Sequence, residues 1–472
     1  MSNASKGNLF ELLNTDDSIK VTKANRSIEE AIIPDGVTVI GKRAFAMCKN
    51  LKRVVFPATV SVIEKEAFRF CSGLRSVVCE NGAAVKIMDF AFASCSSLEE
   101  IDLIKVNEIG NYAFSGCAKL RGVNLSQSLE KISDGTFYGC ESMESIAFPD
   151  SLKQIGEYAF YNCKCLVDLT LPSELNEVGT NAFQCCSALK KININDIYLW
   201  YGIRFKNYNA NPLSLGCALF VGDERICELK IPNGITEILP YSFAGYKNLR
   251  SVIMGDDVVS IGEEAFCGSS LNRIVFSKRL MSLGVGAFCR CASLENAELP
   301  AGVVALPERS FAYCSKLESV VLSEGVREIS KHAFSYCPVL KKLSSMDGLV
   351  HFCFSSIEGC HALETLSFSD KLKLLDNKEL SHCSVKFINY SGTKENWTKL
   401  RKGICDYYDI DAATYYKFMD IPHASIIVHC SDGEITEKYY SREDVEDEYE
   451  GDWGHYVAPW LPDPIKKMWS KE

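Results

Sequence analysis

Apolar residues recur along this chain with a period close to 23. The string A-F-x-x-C stands at Phe45, Phe68, Phe92, Phe114, Phe160, Phe183, Phe288 and Phe334, with variants at Phe137, Phe243, Phe266 and Phe311. Within each run the copies lie 22, 23 or 24 residues apart. Two degenerate copies, Ile357 with Cys360 and Leu380 with Cys383, extend the register to fourteen units in two groups of seven. Inside one unit Ala44, Cys48 and Leu51 stand at i, i+4 and i+7 with Phe45 beside them, a spacing that predicts a short helix. Val54 and Phe56 alternate, which predicts a strand with both side chains inward. Pro57 has no N–H for a ladder and ends that strand, and it recurs as Pro149, Pro172, Pro232 and Pro300. Gly41 recurs as Gly110, Gly156, Gly179 and Gly262, where the turn into the helix is expected to take positive φ.

A unit of this length cannot bury its own apolar face, so copies must stack. The expected fold is an α/β repeat solenoid, a right-handed superhelix of about 14 strand-plus-short-helix units with terminal caps, roughly 60 Å or more along its axis at ~4.8 Å per paired strand. The expected divisions are a polar N-terminal cap at 1–27, the first repeat group at 28–195, an insertion at 196–227, the second group at 228–384, a capping segment at 385–440 and an acidic, Trp- and Pro-containing tail at 441–472. The insertion carries Trp200, Tyr201, Phe205, Asn211 and Pro212 and is read as part of the array with one longer loop. In the capping segment Thr393 is placed to cap a helix that buries Trp397 and Leu400, and Asp432-Gly433 signals a hairpin.

Composition narrows the function. The chain of 472 residues has 47% hydrophobic and 24% charged residues and a formal charge of −10, which argues against a nucleic-acid partner held through its phosphates. Twelve of the 22 cysteines share one repeat position and no C-x-x-C occurs, so they read as small buried side chains and not as a redox motif or a zinc site. His351/Cys353, Cys360/His361 and His382/Cys383 lie in consecutive units, but the core position of Cys360 and Cys383 turns their neighbours elsewhere, and neither metal nor cofactor is expected. No G-x-S-x-G, H-E-x-x-H or P-loop motif is present, and the chain is expected not to be an enzyme. No run of eighteen apolar residues predicts a membrane span, and no apolar leader precedes the repeats.

The repeats resemble the BspA-like leucine-rich repeat family, whose consensus has the form L-x-x-V-x-L-P-x-x-V-x-x-I-G-x-x-A-F-x-x-C. The likeness runs from Ile28 to Cys383, three quarters of the chain. It implies a leucine-rich repeat solenoid and a bacterial surface or secreted protein associated with adhesion to host or matrix proteins. An intracellular interaction scaffold or effector is the alternative, motivated by the absent leader and by the many cysteines.

If Val54 and Phe56 point inward, the residues before and between them face out. The candidate face for a protein ligand is therefore Arg53, Val55, Glu100, Asp102, Asn124, Asp168, Lys191, Asn193, Arg273, Glu298 and Lys342, a column of mixed charge without aromatic rings, on a chain expected to act as a monomer.

Overall fold

The computed structural model describes residues 10–15, 18–80, 84–376, 384–402 and 423–440. Each unit is one coil with three edges. The first edge is a short strand such as Arg53–Phe56, hydrogen-bonded in parallel to Glu30–Ile32 of the preceding coil and Ser76–Cys79 of the next. Pro57 follows it at the corner. The second edge is Val62–Ile63, parallel to Val39–Ile40 and Val85–Ile87.

The third edge corrects the expected helix. Residues 41–51 form a chain of tight turns in which Ala44, Ala46 and Cys48 donate backbone N–H to the carbonyls of Gly41, Arg43 and Phe45, each at 3.0 Å. The intervening N–H groups of Arg43, Phe45 and Met47 reach the next coil, at Lys65 (3.3 Å), Ala67 (2.8 Å) and Arg69 (2.9 Å). An α-helix would satisfy these groups within its own coil; the turns instead give the stack a third ladder. The geometry requires φ of 59° at Arg43 and 65° at Met47, a left-handed conformation that costs about 1–2 kcal/mol per non-glycine residue and is offset by the ladder bonds and the burial they permit. Ala44, Cys48 and Leu51 are all buried. The turns thus return side chains inward at helical spacing, which is why burial periodicity alone reads as a helix.

Gly41 and its equivalents are also corrected. None has positive φ; the coils simply approach too closely there for a side chain. A Cβ would stand 2.6 Å from the Val21 carbonyl at Gly41 and 2.5 Å from the Glu157 nitrogen at Gly179.

The interior is one continuous apolar cluster along the array. Its spine is the phenylalanine column, stacked face to face from Phe45 to Phe183 with ring centroids 4.8–5.7 Å apart and again from Phe243 to Phe334 at 5.3–5.7 Å. Burial of each ring is worth about 1.5–3 kcal/mol, with roughly 0.5–1.5 more for a well-placed aromatic pair. The repeat cysteines do more than fill space. Cys71 donates its S–H to the Phe45 carbonyl at 3.0 Å, and the same bond to the preceding phenylalanine carbonyl recurs at Cys95, Cys117, Cys140, Cys163 and Cys186 and from Cys291 to Cys360.

The insertion supplies a further coil, so the array exceeds fourteen units. After a helix at Ile197–Gly202, capped by Asp196, the strand Arg204–Phe205 extends the second edge and Ala218–Val221 extends the first. Ala218–Val221 then turns back antiparallel into Glu224–Arg225, and both strand ladders lapse before Glu228–Lys230 and Glu237–Ile238 start new ones. Side chains span the lapse. Trp200 Nε1–H donates to the Ser242 carbonyl at 2.8 Å, and Asn211 Nδ2 donates to the carbonyls of Tyr241 (2.7 Å) and Ser242 (2.9 Å).

At the ends, Phe10–Thr15 and Ser18–Ala24 form a hairpin whose second strand joins the second edge. Phe387–Tyr390 and the hairpin His423–Cys430/Gly433–Tyr440 continue the first edge. Thr393 Oγ1 accepts from Asn396 N–H at the start of helix Lys394–Lys402, which buries Trp397. The unit at Leu380/Cys383, His382 and the tail at 441–472 lie outside the described residues.

Candidate functional site

The first edge turns one side chain in and the next out, as the pattern exposed-buried-half-buried-buried over Arg53–Phe56 shows. Of the eleven candidate residues, Arg53, Glu100, Asp102, Asn124, Asp168, Arg273, Glu298 and Lys342 are exposed and Val55, Lys191 and Asn193 half-buried, all on this outward face. Register sorts them into two columns. Arg53, Ser76 and Glu100 lie side by side in one, Asp168 beside Lys191 and Ser251 beside Arg273 further along it. Val55 lies in the other, as do Asp102 beside Asn124 and Glu298 beside Val321. Arg53 pairs with Glu30 at 2.8 Å, and Asp102 Oδ1 accepts from the Ile104 N–H at 3.1 Å.

The second column carries more apolar surface than the candidate residues alone convey. Ile32, Val55 and Val78 are register neighbours, as are Ile253 and Val275. Ile32 is 64% and Ile253 42% exposed, and Val321 extends the second patch beyond Glu298. The face also contains an aromatic ring after all. The insertion coil places Phe220 opposite Asn193, and the Lys191 ammonium lies 4.5 Å from its centroid. Period-two counting from the A-F-x-x-C motif missed Phe220 because the insertion has no such motif.

A second outward surface was not legible from strand alternation. On the turn edge of the first repeat group, Phe90 stacks on Tyr112 at 5.3 Å, Tyr112 meets Tyr138 at 6.3 Å, and Tyr138 stacks on Tyr161 at 4.9 Å. The Arg69 guanidinium lies 4.7 Å from the Phe70 ring and 5.4 Å from that of Phe90. Glu66, nearly buried beneath, accepts from Arg43, and that hydrogen bond, with Arg69 at 3.6 Å, holds its carboxyl below the usual range. Phe90 with Tyr112 and Tyr138 with Tyr161 lie ring against ring, and Tyr138 is exposed.

Burial pushes the core thiols up, to about 12 at Cys117 and Cys291. Among the described residues, no three His, Cys, Asp or Glu side chains gather as metal ligands, and no helix is long and apolar enough to cross a membrane.

Parallel coils of this length, with strand-lined outer faces and a phenylalanine spine, define a leucine-rich repeat solenoid. More particularly, the chain belongs to the BspA type leucine rich repeat region family, described with six copies, which matches residues 22–140, 85–210, 213–341 and 282–400, about four fifths of the chain. Among solved structures, it is similar to a leucine rich cell surface protein of Faecalibacterium prausnitzii at 26% identity, covering 83% of this chain and 96% of that one with a TM-score of 0.44. It is also similar to a leucine-rich repeat protein of Bacteroides ovatus (21%, 77% and 94%, 0.45) and to the pneumococcal vaccine antigen PcpA (18%, 84% and 94%, 0.43). No curated protein matches the sequence.

Proposed function

We propose that this chain is a non-catalytic protein-binding protein that takes a protein ligand along the outward face of the first strand edge, in adhesion to host or matrix proteins. The observation that carries the reading is the apolar column Ile32–Val55–Val78 and Ile253–Val275 set beside the polar column of Arg53, Glu100, Lys191 and Arg273. Apolar contact rimmed by polar and charged groups of both signs is the composition of a protein interface. Mixed charge and an overall −10 disfavour a polyanion.

Two experiments test it. Mild protease shaving of intact source cells, with a cytosolic marker as control, is expected to release peptides of the array while the marker stays whole; protection until lysis overturns the adhesive role in favour of an internal scaffold. Binding of the purified chain to a panel of purified extracellular-matrix proteins is expected to yield at least one partner whose affinity falls when Arg53, Asp102, Lys191 and Arg273 are replaced together by Ala. Unchanged affinity removes the strand face as the site.

A further inference from the structure

The turn edge of the second repeat group is cut by a cleft of about 450 Å³. The positions that bear Met47 and Phe70 early in the first group are glycine beside this cleft, as they already are at Gly116 and Gly139. Here they are Gly245 and Gly268, with φ of 72° and 69°, and the space they leave admits the Tyr208 side chain from the insertion, whose hydroxyl would stand 2.8 Å and 3.2 Å from Cβ atoms added at the two glycines. The cleft floor holds Cys267 and Cys289, each directly following a spine phenylalanine and each outside the core cysteine column. The pair occupies equivalent positions in successive coils. Gly268 N–H donates to the Cys289 carbonyl at 2.7 Å, and Phe266 N–H donates to the Ala287 carbonyl at 2.9 Å. Ladder neighbours sit ~4.8 Å apart, inside the Cα separation of about 4.4–6.8 Å that a disulfide bridges. The two side chains pack in one small buried cluster with Ala312, and Arg290 and Arg309 line the same cleft.

We propose that Cys267 and Cys289 are a reversible dithiol–disulfide pair, oxidised by an anionic low-molecular-weight disulfide that enters this cleft between the two arginines. The Cys289 thiolate sulfur attacks one sulfur of the incoming disulfide, and half of that molecule leaves as a thiolate. Cys267 then loses its proton to the departed thiolate, and its sulfur attacks Cys289 in the mixed disulfide and expels the second half. Two protein thiols are oxidised, one external disulfide is reduced to two thiols, and no other redox partner takes part. The order of attack follows the local charges. The neighbouring Cys267 lowers the Cys289 thiol, with Arg290 helping, while Cys289 and burial raise Cys267. Glu264, itself raised by burial, lines the same cleft and opposes a thiolate at either cysteine. Sequence inspection for C-x-x-C misses this pair, because the coil, not the local chain, brings residues 22 apart into contact.

The test treats the reduced full chain with dithiobis(nitrobenzoate), an anionic aromatic disulfide, and maps peptides by mass spectrometry without reduction. A direct Cys267–Cys289 linkage carrying no nitrobenzoate is expected. Cys267→Ser should stop at a nitrobenzoate adduct on Cys289, and Cys289→Ser should slow labelling of Cys267 by about tenfold. Arg290→Gln with Arg309→Gln should slow the reaction with this probe by more than it slows that with neutral hydroxyethyl disulfide, because the first loses both anion attraction and thiolate, the second thiolate alone. Separate adducts on both cysteines, or labelling confined to the exposed Cys165 and Cys185, overturns the pair. Equal rates for the two serine variants overturn the order of attack, and equal slowing with both disulfides by the arginine variant overturns the anionic substrate.

Discussion

The strand edge and the turn edge are built from the same stacked coils, yet they leave their outer side chains under different constraints. On the strand edge the backbone is ordinary extended chain, so outward positions are conformationally free and their composition reflects only what they meet. That face varies from Ile32 and Val55 to Asp102 and Asn124 within a few coils. On the turn edge every coil needs residues at positive φ, and most of them are not glycine: Arg43, Met47, Phe70, Phe90 and Tyr112 among others. Each such residue bears a backbone cost, so a large side chain there is kept for what it contacts. Phe90 and Tyr112 stack in the first group and Tyr313 and Tyr336 in the second, whereas Gly245 and Gly268 make room for Tyr208 beside a cleft over two thiols.

The largest test concerns what both edges share. Phe114→Ala removes a ring stacked between Phe92 and Phe137 and should cost about 3–5 kcal/mol, read as a lower denaturant midpoint; a change under ~1 kcal/mol would mean that the spine does not carry the stack. Next, Cys140→Ala withdraws the S–H from the Phe114 carbonyl and should cost about 1–3 kcal/mol, partly recovered in Cys140→Ser, which keeps a donor. A smaller effect separates the edges by sign. Met47→Gly, at φ 65° and 49% exposed, should stabilise by about 0.5–1 kcal/mol, whereas Val55→Gly on the strand edge should destabilise by a similar amount. The same sign at both sites would erase the distinction. The smallest effect is a pH dependence. Glu66 is lowered in the fold by Arg43, so its contribution is complete above the ordinary carboxylate range and is lost as pH falls through the lowered value. The difference in melting temperature between the wild type and Glu66→Gln at neutral pH should therefore close below about pH 4.

The spine, the strand and its closing proline were legible because burial repeats at fixed spacing and Pro57 has one meaning in a ladder. Phe45, Cys48, Leu51, Val54 and Phe56 are buried as their pattern demands. The turn edge was not legible, because its buried residues keep helical spacing while the backbone follows another path. One sequence signal was available: glycine recurs at the left-handed positions themselves, as Gly116, Gly135, Gly139, Gly245, Gly268 and Gly286, each two residues from a spine phenylalanine, where a helix would disfavour it. The S–H bonds of the core cysteines, Phe220 on the strand face and the Cys267–Cys289 pair depend on contacts between coils, which no single unit encodes.

The most direct measurement is the affinity of the chain for a matrix-protein partner, compared between two variants. One carries charge on the strand edge (Val55→Asp, Val78→Asp, Ile253→Asp and Val275→Asp), and the other trims the turn edge (Tyr138→Ala and Tyr161→Ala). If the strand face holds the ligand, the first variant loses at least about tenfold in Kd, equivalent to ~1.4 kcal/mol, while the second binds as wild type. Undiminished binding by the first variant, or loss confined to the second, would contradict it.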